Sequence, residues 1–437
     1  MSTDSHQIAM LAKDDPRRQF ISIAHLLTVE ALQGAFRSLR KNASAGVDGV
    51  TYREYAEDAG ARILNLHGRL KSKQYRAQPL RRIYIPKEGG KERPISIPSL
   101  EDKIVQKATV TLLNSICEQD FLDCSFGFRP GRSQHDALDQ IRKTICGGRI
   151  SYVVEADIQQ YFDSIVRSQL LEMIERRVRD SSILRLISKW IKVGVIDDGR
   201  LLITDTGTGQ GQVISPLLSN IYLHYVLDLW FETVVKPRLR GEAYLIRYAD
   251  DFVICFQYRG DAEKLLDVLP KRFARFGLVL HPDKTRLIEF GRFARQNAKK
   301  AGQGKPATFG FLGFTHICAR SRQGRFTIHL RTMRKRVRRR LSEVERWCRR
   351  HMHDPVEAQC AALNAKLRGH YQYYGRPTNY RSIREFYRGV RRIWRKWLNR
   401  RTRGKNFTWD DYQQLLDRHP LLLPRIKHAW ASTGSLA

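Results

Sequence analysis

The chain has 437 residues, 42% of them hydrophobic, with 78 Lys and Arg against 44 Asp and Glu for a formal charge of +34. That apolar content suffices for packed cores in roughly two to four units, which excludes a disordered basic tail. So large a surplus on a folded chain excludes an ordinary metabolic enzyme and calls for a polyanionic partner, nucleic acid first.

No run approaches the roughly 18–20 uncharged apolar residues of a membrane span, and the opening MSTDSHQIAMLAKDD has no apolar leader segment. The seven cysteines (117, 124, 146, 255, 318, 348, 360) are scattered and never closely paired, so reduced thiols in a cytosolic setting are expected.

Residues 1–75 read as polar helices, with Leu26, Leu27, Leu32 and Phe36 near helical spacing before the turn-rich AGVDG at 45–49. From Arg81, RRIYIPKEGGKERPISIP alternates apolar and basic residues about Gly89-Gly90, which predicts a β-hairpin with a basic tip. A helix over 101–120, the Gly/Pro/Arg loop FGFRPGRS and a helix near 133–146 follow. SYVVEADIQQYFDSI (151–165) begins as a strand and breaks into a polar turn at Asp157, and AYLIRYADDFVICF (243–256) is interrupted only at 249–251. KKAGQGKP around 299–306 reads as a flexible connection, and FGFLGFTHI (309–317) as the last clear strand. Residues 325–405 then hold 25 Lys and Arg against five Asp and Glu, placing +20 of the charge in that stretch. Within it Met333, Val337, Leu341, Val344 and Trp347 mark one apolar stripe of a helix whose other faces are mostly arginine.

Asp157, Asp250 and Asp251 sit at the ends or bends of apolar strands, where an unpartnered carboxylate is costly and a metal or cation is called for. Three converging aspartates suit two Mg²⁺ ions, which prefer oxygen ligands and substrate phosphates. An Asp-Asp pair in a hairpin turn is the bland alternative. The conjunction of YADD, an upstream strand aspartate with YFD and a basic hairpin favours the metal reading.

These residues resemble the reverse transcriptases of bacterial group II introns, the intron-encoded maturases, here of the endonuclease-lacking kind, or a close group II-like reverse transcriptase. The carriers are Tyr248-Ala249-Asp250-Asp251, Ala156-Asp157-Ile158 with Tyr161-Phe162-Asp163, and Gln210-Gly211 followed by VISPLLSN (213–220). IPKEGGKERPISIPSLEDKIVQ, SFGFRPGRSQHDAL, HPDKTRLIEF, FLGF and LRGHYQYYG add to the likeness, which runs from residue 45 onward. The resemblance implies an α+β right-hand polymerase with fingers, an antiparallel-sheet palm, a helical thumb and a small basic C-terminal helical module. Its expected divisions are 1–75 (N-terminal extension and start of fingers), 76–320 (fingers and palm), 325–375 (thumb, or maturase X domain) and 376–437 (basic DNA-binding region).

Residue by residue, the resemblance assigns Asp157, Asp250 and Asp251 to catalysis and, with the Ile158 carbonyl, to two Mg²⁺. Lys87 and Arg93 would clamp the incoming triphosphate, or else form a solvated basic hairpin. Phe162 would lie under the sugar and exclude a 2′-OH, with a core role as its alternative. Gln210 and Gly211 would cover the nascent base pair, and Lys284 would stand near the leaving pyrophosphate. Arg334, Arg338 and Arg339 would face an A-form duplex through its phosphates, unless they form only a solvated basic face. The family usually reads Pro-Gln-Gly-Gly where this chain has Gly209-Gln210-Gly211-Gln212, a departure that bears on loop stiffness and on fidelity and processivity.

The expected activity is RNA-directed DNA synthesis on intron or template RNA, from a DNA primer or target DNA with dNTPs, together with intron RNA binding, splicing assistance and retrohoming. A bacterial cytoplasmic, nucleoid-associated setting without membrane attachment is expected, and homodimer formation stays open. Lacking the cysteine-paired HNH region of many relatives before Ala437, a mobile form is expected to use single-stranded DNA or a replication primer. Two rivals are a domesticated enzyme of DNA repair or phage defence and a splicing factor with incidental polymerase activity.

Overall fold

The computed structural model describes residues 3–86, 92–197, 200–202, 206–401 and 407–430. Lys87 lies outside the described residues. At the centre, strand Tyr152–Asp157 runs antiparallel between Asp251–Phe256 and Arg286–Glu289, with Ala243–Tyr248 beyond Asp251–Phe256. Side chains alternate between faces along a strand. Val154 and Ile254 therefore join one core with Ile104, Leu113, Leu218 and Leu265, from helices Leu100–Asp120, Ser215–Leu223 and Arg259–Ala274. Val153, Val253 and Cys255 join another with Ala137, Leu138 and Ile141 of helix Gln134–Gly147. Helices cover both faces, so these strands read as continuous apolar runs and only their ends can carry charge.

The basic hairpin forms as expected from Leu80–Pro86 and Glu92–Ile97. It is widened by Val195–Asp197, parallel to its first strand, and by Arg200–Leu202. Three other expectations need correcting. The single strand expected over 309–317 is a hairpin, Phe309–Phe311 and Phe314–Arg320, that reverses at Leu312 and Gly313 with φ of +48° and +78°. It is also not the last strand. Phe326–Thr332 pairs with Phe314–Arg320 along its whole length, its FTIHLRT pattern having been hidden by interspersed Thr, His and Arg at the start of the basic region. Helix Ala294–Lys300 likewise takes up the beginning of the expected 299–306 connection.

From Arg334 onward the described chain is mainly helical. Helices Arg334–Arg350, Val356–Tyr374, Tyr380–Arg401 and Trp409–Arg418 share one core containing Val344, Leu363, Phe386, Trp394 and Tyr412. The predicted apolar stripe packs inward here, with Val337, Leu341 and Trp347 against that core. Among the described residues no helix is long and apolar enough to cross a membrane, and all seven cysteines are free.

Candidate active site

Asp157 and Asp251 are register partners across adjacent strands. Tyr248 and Asp251 pair in turn, which leaves Ala249 and Asp250 as a two-residue bend. Like charges directly opposed in a sheet are destabilising. Burial, then the charges of Asp250 and Asp157, push the Asp251 carboxyl up to about 7; burial and then Asp157 raise that of Asp250. A cation set among these groups would relieve both effects. The Leu312 backbone N–H donates to Asp251, tying the third sheet's hairpin bend to the carboxylates.

Lys284 closes the short 3₁₀ turn Pro282–Lys284 and ion-pairs with Asp157. Consistent with that engagement, among the described residues no three Asp, Glu, His or Cys side chains are preset as a coordination sphere. The donor set still fits Mg²⁺. It is all oxygen, and Mg²⁺ ordinarily takes one or two carboxylates and completes its shell with water and substrate phosphates. Ile158, buried just past the strand end, bridges to Leu280.

The loop 207–212 joins the hairpin sheet to this centre. Gln210 accepts from the Ser96 N–H through its carbonyl at 2.6 Å, and Thr208 N–H donates to the Phe162 carbonyl at 2.8 Å. Gly211 has φ +118°, and a Cβ there would meet Ser96 O at 2.6 Å, so only glycine lets the loop lie so close to the strand. Phe162, in the helical turn Tyr161–Ser164, is half-buried, packs against the main core and tilts on Tyr161 at 5.5 Å. Arg93 is exposed, opposite Ile85 in the hairpin, and its charge lowers the carboxyls of Asp163 and Asp250 against the raising effect of burial.

The departures at 209 and 212 compete for the same space. A Cβ at Gly209 would lie 2.5 Å from Leu80 Cδ1 and 2.8 Å from Gln212 Nε2. The longer side chain at 212 thus fills space that a side chain at 209 would need. Gln212 is buried, donates to the Trp190 carbonyl at 3.0 Å and accepts from Gln106 Nε2 at 2.8 Å; Gln106 Oε1 accepts from Val213 N–H at 2.9 Å. Sequence reading found the exchange but not its partner Gln106, which lies on a helix more than a hundred residues earlier.

A cavity of about 620 Å³ opens beside Asp251, lined also by Leu312, Arg336, Arg340, Lys366 and Tyr373. Of the arginines expected on this helix, Arg334 and Arg338 are exposed, while Arg339 is half-buried and 3.6 Å from Glu343. The cations that line the cavity with Asp251 are Arg336, Arg340 and Lys366, the two arginines a pair four residues apart that the helical period could have singled out.

A family model described as reverse transcriptase (RNA-dependent DNA polymerase) matches residues 85–316, just over half of the chain. The chain therefore belongs to the reverse transcriptase family. It is 36% identical to Protein YkfC of Escherichia coli (strain K12) over 58% of this chain and 75% of that protein. It is 38% identical to the group II intron-encoded protein LtrA of Lactococcus lactis subsp. cremoris, across 47% of this chain and 35% of that one. Nuclear intron maturase 2 of Arabidopsis thaliana is 27% identical over 44% of this chain and 30% of its own length. Within the family the chain is thus of the group II intron type, an RNA-directed DNA polymerase by class. It spans about a third of the two intron proteins it matches.

Proposed function

We propose that the chain extends a DNA primer along an RNA template, with Asp157, Asp250, Asp251 and the Ile158 carbonyl holding two Mg²⁺. The observation that carries this reading is the in-register opposition of Asp157 and Asp251 with Asp250 in the adjoining bend. When bound, the ions supply a lowered pKa for the primer 3′-hydroxyl and positive charge for the leaving pyrophosphate. The protein's own part is to aim the reactants. Lys284 trades Asp157 for the pyrophosphate, Lys87 and Arg93 clamp the triphosphate, Phe162 excludes a 2′-OH, and Gln210 and Gly211 cover the new base pair.

On this reading the hairpin sheet belongs to the fingers, the central sheet to the palm and the helices from Arg334 to the thumb, with the basic stretch beyond 376 contacting DNA. Arg336 and Arg340, beside Asp251, suit the primer–template backbone. The same basic helical surface binds intron RNA and serves splicing and retrohoming.

Asp250→Asn tests the division between chemistry and binding. It keeps shape but removes a charge from the metal centre, so primer extension should fall by orders of magnitude while RNA binding, which rests on cationic surfaces, stays nearly intact. Both assays belong on one purified, folded variant. Robust Mg²⁺-dependent cDNA synthesis by Asp250→Asn would sink the catalytic assignment.

A further inference from the structure

We propose that Arg247, Asn220 and Asp228 form a buried brace that positions the Ala249-Asp250 bend, setting the aim of the catalytic carboxylates without touching substrate. The inference rests on the catalytic reading of Asp157, Asp250 and Asp251 and deepens it. Its starting point is strain. Ala249 has φ +57°, at a hairpin position that favours glycine, and a left-handed conformation is costly for a residue that carries a side chain.

Arg247 answers that strain from inside the fold. Its side chain and that of Asp228 have no exposed surface. Arg247 Nε and Nη2 donate to the two Asp228 oxygens at 2.8 and 2.5 Å, while Nη1 donates to Asn220 Oδ1 and to the Ala249 carbonyl, each at 3.0 Å. Asn220 Nδ2 passes the connection on to the Gly127 carbonyl at 2.7 Å. Gly127 in turn lies flat on the bend, since a Cβ there would sit 2.4 Å from Ala249 N. The bend is therefore gripped from two sides, by the loop containing Gly127 and by the guanidinium.

The helix supplying the other two groups is built to do so. Asn220 lies in Ser215–Leu223, and Asp228 ends the π-helical turn His224–Asp228 that follows. A π turn accommodates one extra residue, so Asp228 takes the place that the seventh residue after Asn220 would hold in an unbroken helix, on the same face. Stability alone does not account for this cluster, because a buried ion pair is often matched or bettered by apolar residues of similar volume. A guanidinium fork that reaches two carboxylate oxygens, an amide and a carbonyl fixes geometry in a way that one ammonium cannot.

The test uses the full chain with a DNA primer annealed to an RNA template. Asn220→Ala and Arg247→Lys are compared with wild type for kcat, dNTP KM, the Mg²⁺ concentration at half-maximal synthesis, primer–template affinity and melting temperature. Misaimed carboxylates should lower kcat on the order of 10²-fold and raise the Mg²⁺ requirement, with primer–template affinity and dNTP KM at wild-type values. Because Arg247→Lys leaves Asp228 poorly paired, Arg247→Met/Asp228→Leu, which removes both charges, serves as the folded comparison. Wild-type kcat and Mg²⁺ dependence in folded Asn220→Ala or in the double variant overturns the brace. So does a fall in activity matched by equal losses of primer–template affinity and melting temperature, the mark of a merely structural role. An inactive wild-type chain defeats the catalytic reading and the brace with it, whereas an active wild type equalled by its variants defeats the brace alone.

Discussion

On the proposed role of Phe162 beside the sugar, its ring must be held still, and the fold has the means to do so. Its backbone carbonyl is taken by the Thr208 N–H, and its neighbour Tyr161 is anchored through a 2.7 Å hydrogen bond to the Ser219 carbonyl. The half-buried ring packs against the main core, so under the proposed reading one side chain would serve both packing and gating. Phe162→Val should raise ribonucleotide incorporation by about tenfold or more, the value of roughly 1.4 kcal/mol of lost steric discrimination. Primer extension with paired dNTP and rNTP titrations measures it, and unchanged selectivity would leave Phe162 as core alone. The carboxylates were legible at this scale because a charge at the end of an apolar strand is an anomaly that local sequence displays. The Lys284–Asp157 pair was not, since it joins residues 127 apart and depends on how the chain returns to the strand end.

Between elements, the strongest untested coupling is the exchange of bulk between positions 209 and 212. Gly209→Ala alone forces its Cβ into Leu80 Cδ1 and Gln212 Nε2. Gln212→Gly alone leaves the Gln106 amide and the Trp190 carbonyl short of a partner in a buried setting, at about 1–3 kcal/mol. Combined, Gln212→Gly removes one of the two clashes of the added methyl and leaves only Leu80 Cδ1 to give way, so the double variant should be less damaged than the sum of the singles by about 0.5 kcal/mol or more. Melting temperatures and dNTP KM across the four proteins give that coupling; strict additivity would show that the two positions do not interact. The same loop marks where sequence reading stopped. Periodicity disclosed the basic hairpin and the long helices, but Val195–Asp197 has only three residues and gains its place by pairing with a strand more than a hundred positions earlier. Strand Phe326–Thr332 was missed for a related reason, its polar residues concealing a pairing that the preceding strand makes clear.

Across the whole molecule, charge is distributed as though to separate holding from reacting. The stretch 325–405 carries +20 of the +34, and part of its positive charge is already engaged: Arg340 pairs with Glu343 at 2.9 Å and Lys396 with Glu345 at 2.5 Å. Arg334 and Arg338 stand exposed at the start of the helix, one turn apart, whereas Arg339 leans on Glu343. If this face meets nucleic-acid phosphates, the affinity for structured RNA should fall steeply with salt, by a slope of roughly −0.7 to −0.9 per phosphate neutralised. Reversing Arg334 and Arg338 to Glu should each flatten the slope by about one; reversing Arg339 should do less, because its charge is shared with Glu343. Filter binding or anisotropy from low to moderate salt resolves the three, with Asp250→Asn as the control whose slope stays at the wild-type value. Equal slopes for wild type and the Arg334/Arg338 reversals would move the RNA surface elsewhere, and the cavity-lining Arg336 and Arg340 would then be the next residues to reverse.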